Sequence, residues 1–455
     1  MVLGLTLLGA LGVLGCSNDD VAPSAPIAGS ADLQTAGNTM VVGTAAELVA
    51  ALVPENAGRR ILVRAGTYAI DAQLAVPDGV TLEGEGVMHF DGDGLPAGFG
   101  AGAHTTLVMS SDAPGNMLTL NDGVTIRALQ IEDKLGRIGN VIGVGSRDAG
   151  DRVSATIAES EIVNPNPIGA GPDGPTGYGL LVITRNPNLG AAPAPHEGAS
   201  ITTRVARSLV RSPAGGGSLF AFNFAALGNV SVALTGNVLG GEVTANGGVS
   251  RPDAVHDATV TIESRRNLYR DDFAEPCARL ANASSGLNLT GGSGPPAPLP
   301  VAETARNSLR VHSVDDRIER FVNGVSAAGS RRFFETAGPS TDNSLDLELL
   351  GTTISTPTCG GAGADMILIA AHASFSDALA PGNGNTLRAV IRGVTGSGSR
   401  SNQYGDAVGV SGPLPAAFQG TGNRLEIVGN LNAFVQTNRR IDPLPGAEFF
   451  TGGTP

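Results

Sequence analysis

The chain has 455 residues, of which 16% are charged and 4% aromatic, with no Trp, 65 Gly and 28 Pro. Its 42 acidic against 29 basic residues, with Lys134 the only lysine, leave a formal charge of −13 and exclude the basic face that nucleic-acid phosphates require. The 41% of hydrophobic residues excludes a disordered chain, so the many Gly and Pro read as turns, and a repetitive architecture can absorb this length without internal boundaries.

The chain begins with an apolar run, Val2 to Gly15, followed by Cys16, Ser17, Asn18, Asp19 and Asp20. As a helix these fourteen residues span about 21 Å, short of the roughly 20 residues a bilayer crossing needs, so they read as a signal h-region. Val13-Leu14-Gly15-Cys16 resembles the lipobox of bacterial lipoproteins, although no Lys or Arg precedes the apolar run. The resemblance implies a signal peptide over residues 1–15, lipid attachment at Cys16, and export to the bacterial cell envelope, at the outer membrane or cell surface. Residues 16–40 are rich in Ala, Ser, Pro, Asp and Asn without an apolar period, and read as a tether. In an exported protein Cys277 and Cys359 can either pair as a disulfide or stand as separate thiols.

A folded domain is expected over 41–450. It opens with Thr44-Ala45-Ala46-Glu47, a capping box, and the apolar residues that follow predict a short helix covering the open end of what comes next. Ile61 to Tyr68 and Leu74 to Gly84 are short β-rich runs split by Gly and a Pro-Asp-Gly turn, too close together for intervening helices. Beyond them lies a weak repeat. Val80, Val124, Val153, Ile201, Val230, Val260, Leu309, Leu345, Leu387 and Leu425 each open an alternating run, at an average interval of about 38 residues. Three of the longest intervals hold Gly/Pro-rich inserts, Asp91 to Gly102, Pro165 to Pro195 and Gly291 to Pro300, which in a solenoid can project sideways.

Two position-matched sets favour stacking. Ser160, Ser208, Asn237 and Asn267 lie seven residues after their anchors, each followed two residues later by Ile162, Val210, Leu239 or Tyr269. Stacked in register, they would form hydrogen-bonding columns spaced about 4.8 Å apart. The later repeats carry Asn-x-Leu at Asn307, Asn343, Asn385 and Asn423. A propeller also uses repeats near 40 residues, but it expects regular blades with aromatic signatures that this Trp-free, variable repeat lacks. The stretch from Ile61 to Gly86 resembles the first coils of the pectate-lyase-like superfamily. That resemblance implies an all-β, right-handed parallel β-helix with an N-terminal capping helix, in a superfamily rich in polysaccharide enzymes, adhesins and surface proteins.

Chemistry is harder to find. The polygalacturonase branch of that superfamily expects Asn-x-Asp, Asp-Asp, Gly-His and Arg-x-Lys. Asp271-Asp272 and Asp315-Asp316 supply the pairs, but His256 and His312 lack a preceding Gly and no Arg-x-Lys occurs. The candidate catalytic residues are therefore Asp271, Asp272, Asp315, Asp316 and Arg317, and on adjacent coils their carboxylates could hold Ca²⁺. The competing reading makes them turn residues and surface ion pairs. The six histidines show no metal-ligand spacing, so no other metal is expected. Two functions remain: a surface protein that binds a glycan or partner without turnover, or a polysaccharide lyase or glycoside hydrolase working in a groove.

Overall fold

The computed structural model describes residues 34–171, 174–185, 196–249, 254–278, 285–293, 303–332, 340–357, 365–374, 382–397, 401–409, 412–413, 421–429, 437–440 and 449–452. They form a right-handed parallel β-helix whose coils contribute one strand each to three stacked sheets. The long sheet has 14 strands running from Gln34–Ala36 to Phe449–Gly452, the middle sheet 12 and the short-strand sheet 10. In the long sheet only the first pair, Gln34–Ala36 with Thr39–Val42, is antiparallel. These two strands begin inside the stretch expected as tether, and Met40 is already in the core. The parallel pairing distinguishes the fold from a propeller, whose blades are antiparallel.

The periodicity explains the core. Alternate residues of each strand point inward, so equivalent positions stack into apolar columns. In the long sheet Val153, Ile201, Val230, Val260, Leu309, Leu345, Leu387 and Leu425 pair in direct register, every one buried. Val124 pairs instead with Ala155, two residues from the expected Val153. The strand lengthens here from four residues (Val124–Arg127) to seven (Arg152–Ala158), and an even slip keeps the same side chains facing inward. Ile162, Val210, Leu239 and Tyr269 form the matching column in the short-strand sheet.

Thr44 caps the helix Ala45–Ala51. Its hydroxyl accepts from the Glu47 amide at 3.1 Å while the Glu47 carboxylate accepts from the Thr44 amide at 3.1 Å, and Leu48 and Ala51 are buried against the first coils.

Polar ladders run up two corners. At the first, the Ser160 amide donates to Ser208 Oγ, the Ser208 amide to Asn237 Oδ1 at 2.9 Å, and the Asn237 amide to Asn267 Oδ1 at 2.9 Å. The residue before each is a left-handed turn position, at Glu159, Arg207, Gly236 and Arg266, and the ladder satisfies the amides that this turn frees. At the second corner Asn307, Asn343, Asn385 and Asn423 form a continuous series in which each amide and Nδ2 donates to the next Oδ1. A short four-stranded sheet, Val255–His256, Thr304–Ala305, Ser340–Thr341 and Gly382–Asn383, leads into this corner.

The insert containing Asp91 to Gly102 does not project sideways. It forms a two-stranded hairpin, His89–Phe90 with Pro96–Gly98, that folds back over the short-strand sheet. Leu95 is only 7% exposed because it packs on Leu209, Val238 and Leu268.

Candidate functional site

Each sheet has an outward face, and the three differ. The middle sheet is buried on both faces where it runs through Gly115–Leu120, Gly139–Gly145 and Tyr178–Ile183, and outside it Tyr178, Leu181, Ile183, Phe220 and Phe224 make a second apolar cluster. The short-strand sheet carries the hairpin. The long sheet alternates buried with half-buried or exposed residues from Arg152 to Leu350, so its outer face is open there, and in Thr386–Arg392 the outward Val390 is buried.

That open face has two halves. In the strands Arg152–Ala158, Ser200–Ala206, Asn229–Thr235 and Thr259–Arg265, the outward positions include Ser154, Thr156, Ser200, Thr202, Asn229, Ser231, Thr259 and Thr261. Register sets Ser154 beside Thr202, Thr202 beside Ser231 and Ser231 beside Thr261, about 4.8 Å apart. Among the described residues, Thr156, Ser200, Thr202, Asn229, Ser231 and Thr261 make no side-chain hydrogen bond, so their donors and acceptors face solvent. Arg152 and Arg204 stand on the same face, likewise without a carboxylate partner among the described residues. At its edge a shallow cleft of about 410 Å³ is lined by Asp122, Arg152, Val153, Ser154, Gly198, Ser200 and Thr202. Asp122 Oδ1 accepts from the amide and hydroxyl of Ser154 at 2.8 and 2.9 Å, which fixes that wall. A cleft of this size with a few convergent polar groups suits a small ligand or a segment of a larger one.

In the later coils the same face is ion-paired. His312 lies between Glu263 (3.1 Å) and Glu348 (3.7 Å), and Arg388 between Asp346 (3.7 Å) and Glu426 (3.5 Å). These side chains satisfy one another from coil to coil.

The acidic pairs fall elsewhere. Register places Asp316 beside Asn267 at the start of a three-residue strand, whereas Asp271 follows the end of the paired strand Leu268–Arg270. The two sites are thus about 13 Å apart along the strands and form no common cluster. Asp316 is fully buried and takes the next place in the first ladder, accepting from Asn267 N (2.7 Å), Ser264 Oγ (2.6 Å) and Ser313 Oγ (2.7 Å). Burial raises its pKa, and those hydrogen bonds only partly offset the shift. Asp315 is an exposed left-handed turn residue. Asp271 is buried and accepts from the Phe273 amide. Asp272 fills the space left by the absent side chain of Gly240, 3.8 Å from Arg270, and burial raises its pKa against that cation. Arg317 reaches Asp93 of the hairpin at 2.8 Å. Among the described residues, no group of three His, Cys, Asp or Glu could hold a metal ion. Cys277 is disulfide-bonded. Cys16 and Cys359 lie outside the described residues.

Sequence reasoning missed the open hydroxyl field. Its only trace was the polar member of each alternating run, the Thr and Ser of VTI-type strands, which any solvated strand also carries.

No family model and no curated protein matches the chain. Among solved structures it is similar to ORF18 of Geobacillus virus E2, with 9% identity, a TM-score of 0.30, and coverage of 79% of this chain and 57% of that one. It is also similar to the Siphovirus 9NA tailspike receptor binding domain, with 10% identity, a TM-score of 0.25, and coverage of 91% of this chain and 71% of that one. The chain therefore spans little more than half the length of the first.

Proposed function

We propose that the protein binds a polysaccharide on the outer face of its long sheet, without turning it over, and is held at the bacterial cell envelope by a lipid on Cys16. The carrying observation is the array of unpartnered hydroxyls from Thr156 to Thr261 beside the Arg152 cleft. Glycans present many hydroxyls at short intervals. A rigid array with unspent donors and acceptors can meet several at once, with little ordering cost on the protein side. The separation of the two acidic pairs, and the burial of Asp316 in the core, favour binding over catalysis.

The test uses the full chain with a panel of neutral and acidic polysaccharides, with Ca²⁺ or EDTA, following binding by calorimetry together with unsaturated products and reducing ends. Binding without product is expected. Arg152→Ala and Thr202→Val should each weaken it by about 1–2 kcal/mol, roughly ten-fold, while Arg388→Ala in the ion-paired half leaves it unchanged. Absence of binding to every glycan, or equal affinity of all variants, would sink the proposal. Product formation abolished by Asp272→Ala would replace it with a lyase or hydrolase.

Lipid attachment is tested in cells with a labelled fatty acid. The wild-type chain should take up label and sediment with membranes, and Cys16→Ser should do neither; label retained by Cys16→Ser removes the anchor.

A further inference from the structure

In a solenoid each coil touches only its neighbours, so distant coils are coupled solely through the stack between them. The hairpin His89–Phe90/Pro96–Gly98 breaks that rule. It leaves the chain between the strands Thr81–Gly84 and Thr105–Met109, yet it contacts five successive strands of the short-strand sheet beyond its own. Gly98 lies against the ion pair of Glu161 and Arg211, and this glycine has φ 100°, with Glu161 Oε2 only 3.0 Å from where a Cβ would sit. Phe90 receives the Arg207 guanidinium at 4.3 Å. Leu95 covers Leu209, Val238 and Leu268, an apolar strip on the outward face of three consecutive strands. At the far end Asp93 Oδ2 meets Arg317 at 2.8 Å, 224 positions along the chain.

From this we infer that the hairpin is a strap that locks the coils from Thr105 to Glu319 into one cooperative block, which opens and closes together, while the coils beyond Ser344 open independently. The outward strip Leu209–Val238–Leu268 has no reason to be apolar on a solvent-facing sheet unless it is covered, and the hairpin covers it. Its two turn-stabilising bonds, Asp91 Oδ1 accepting from the amides of Asp93 and Leu95 at 2.9 Å each, hold Leu95 toward the strip and Asp93 toward Arg317.

Hydrogen exchange followed by mass spectrometry on the full chain tests the strap. In Leu95→Asp, exchange should rise about ten-fold in Leu209–Arg211, Val238–Leu239 and Leu268–Arg270, and stay unchanged in Ser344–Leu350 and Thr386–Arg392. Asp93→Ala, which keeps the apolar contact, should raise exchange only in the hairpin and in Arg317–Glu319. If Leu95→Asp does not fold, Leu95→Ala carries the same expectation with a smaller rise. Unchanged exchange under the hairpin, or an equal rise in Ser344–Leu350, overturns the inference.

Discussion

Asn343→Ala is expected to destabilise the protein by about 3 kcal/mol, read as a lower midpoint of chemical unfolding. Asn343 sits in the middle of the second ladder with no exposed surface. Its Oδ1 accepts from the amide and Nδ2 of Asn307 at 3.1 and 3.0 Å, and its Nδ2 donates to the Thr304 carbonyl at 3.0 Å and to Ser340 Oγ at 3.0 Å. Truncation leaves the buried Asn307 amide without its acceptor and opens a small cavity, and each of these costs free energy. Ser344→Ala, at the adjacent outward position, should shift stability by less than about 0.5 kcal/mol. Equal effects of the two substitutions would mean that the ladder contributes nothing beyond burial.

The opposite sign is expected at Asp316. Asp316→Asn should make the protein about 1–2 kcal/mol more stable at pH 7, because a carboxylate buried without a cation is replaced by the amide that the ladder already uses at Asn237 and Asn267. The sign of the pH dependence follows from the raised pKa. The folded protein holds the Asp316 proton more tightly than the unfolded chain, so this stabilisation is complete below the ordinary value of 3.8 and is lost as pH rises through the folded pKa. The advantage of Asp316→Asn should therefore vanish near pH 3 to 4 and grow toward neutrality. Asp316→Ala should instead cost about 3 kcal/mol near pH 3, since Asn267 N, Ser264 Oγ and Ser313 Oγ lose their acceptor, and less toward neutrality, where the wild-type protein itself loses the stabilisation of the protonated carboxyl. Unfolding midpoints of the three proteins across pH 3–8 check both. A stabilising effect of Asp316→Asn that persists unchanged at pH 3 would remove the charge from the explanation.

Tyr269 shows why a polar cluster sits in this apolar interior. Its ring fills the column shared with Leu239 and Ile318, but its hydroxyl, with no exposed surface, must find a partner. Ser264 Oγ at 2.5 Å supplies one and is itself held by Asp316. One aromatic residue thus brings two further polar groups into the core.

The architecture was legible because a stacked fold writes the same constraint once per coil. Alternation marks the inward face, and seven residues on, the corner must offer an acceptor, so Ser160, Ser208, Asn237 and Asn267 recur at that offset. Asp316 stands at the same offset from Leu309. Reading it as half of an Asp-Asp pair obscured that it continues the ladder. The hairpin's path was not legible, because only three dimensions bring Asp93 to Arg317.

By itself the amino-acid pattern determined that apolar runs stack as rungs, which residues face inward and where each corner needs an acceptor, all being local and repeated. The tertiary structure alone decided which outward faces stay open. The hairpin folds back over the short-strand face, the outward side of the middle sheet carries an apolar cluster of its own, and side chains such as Thr202 become available to a ligand only because nothing described covers them.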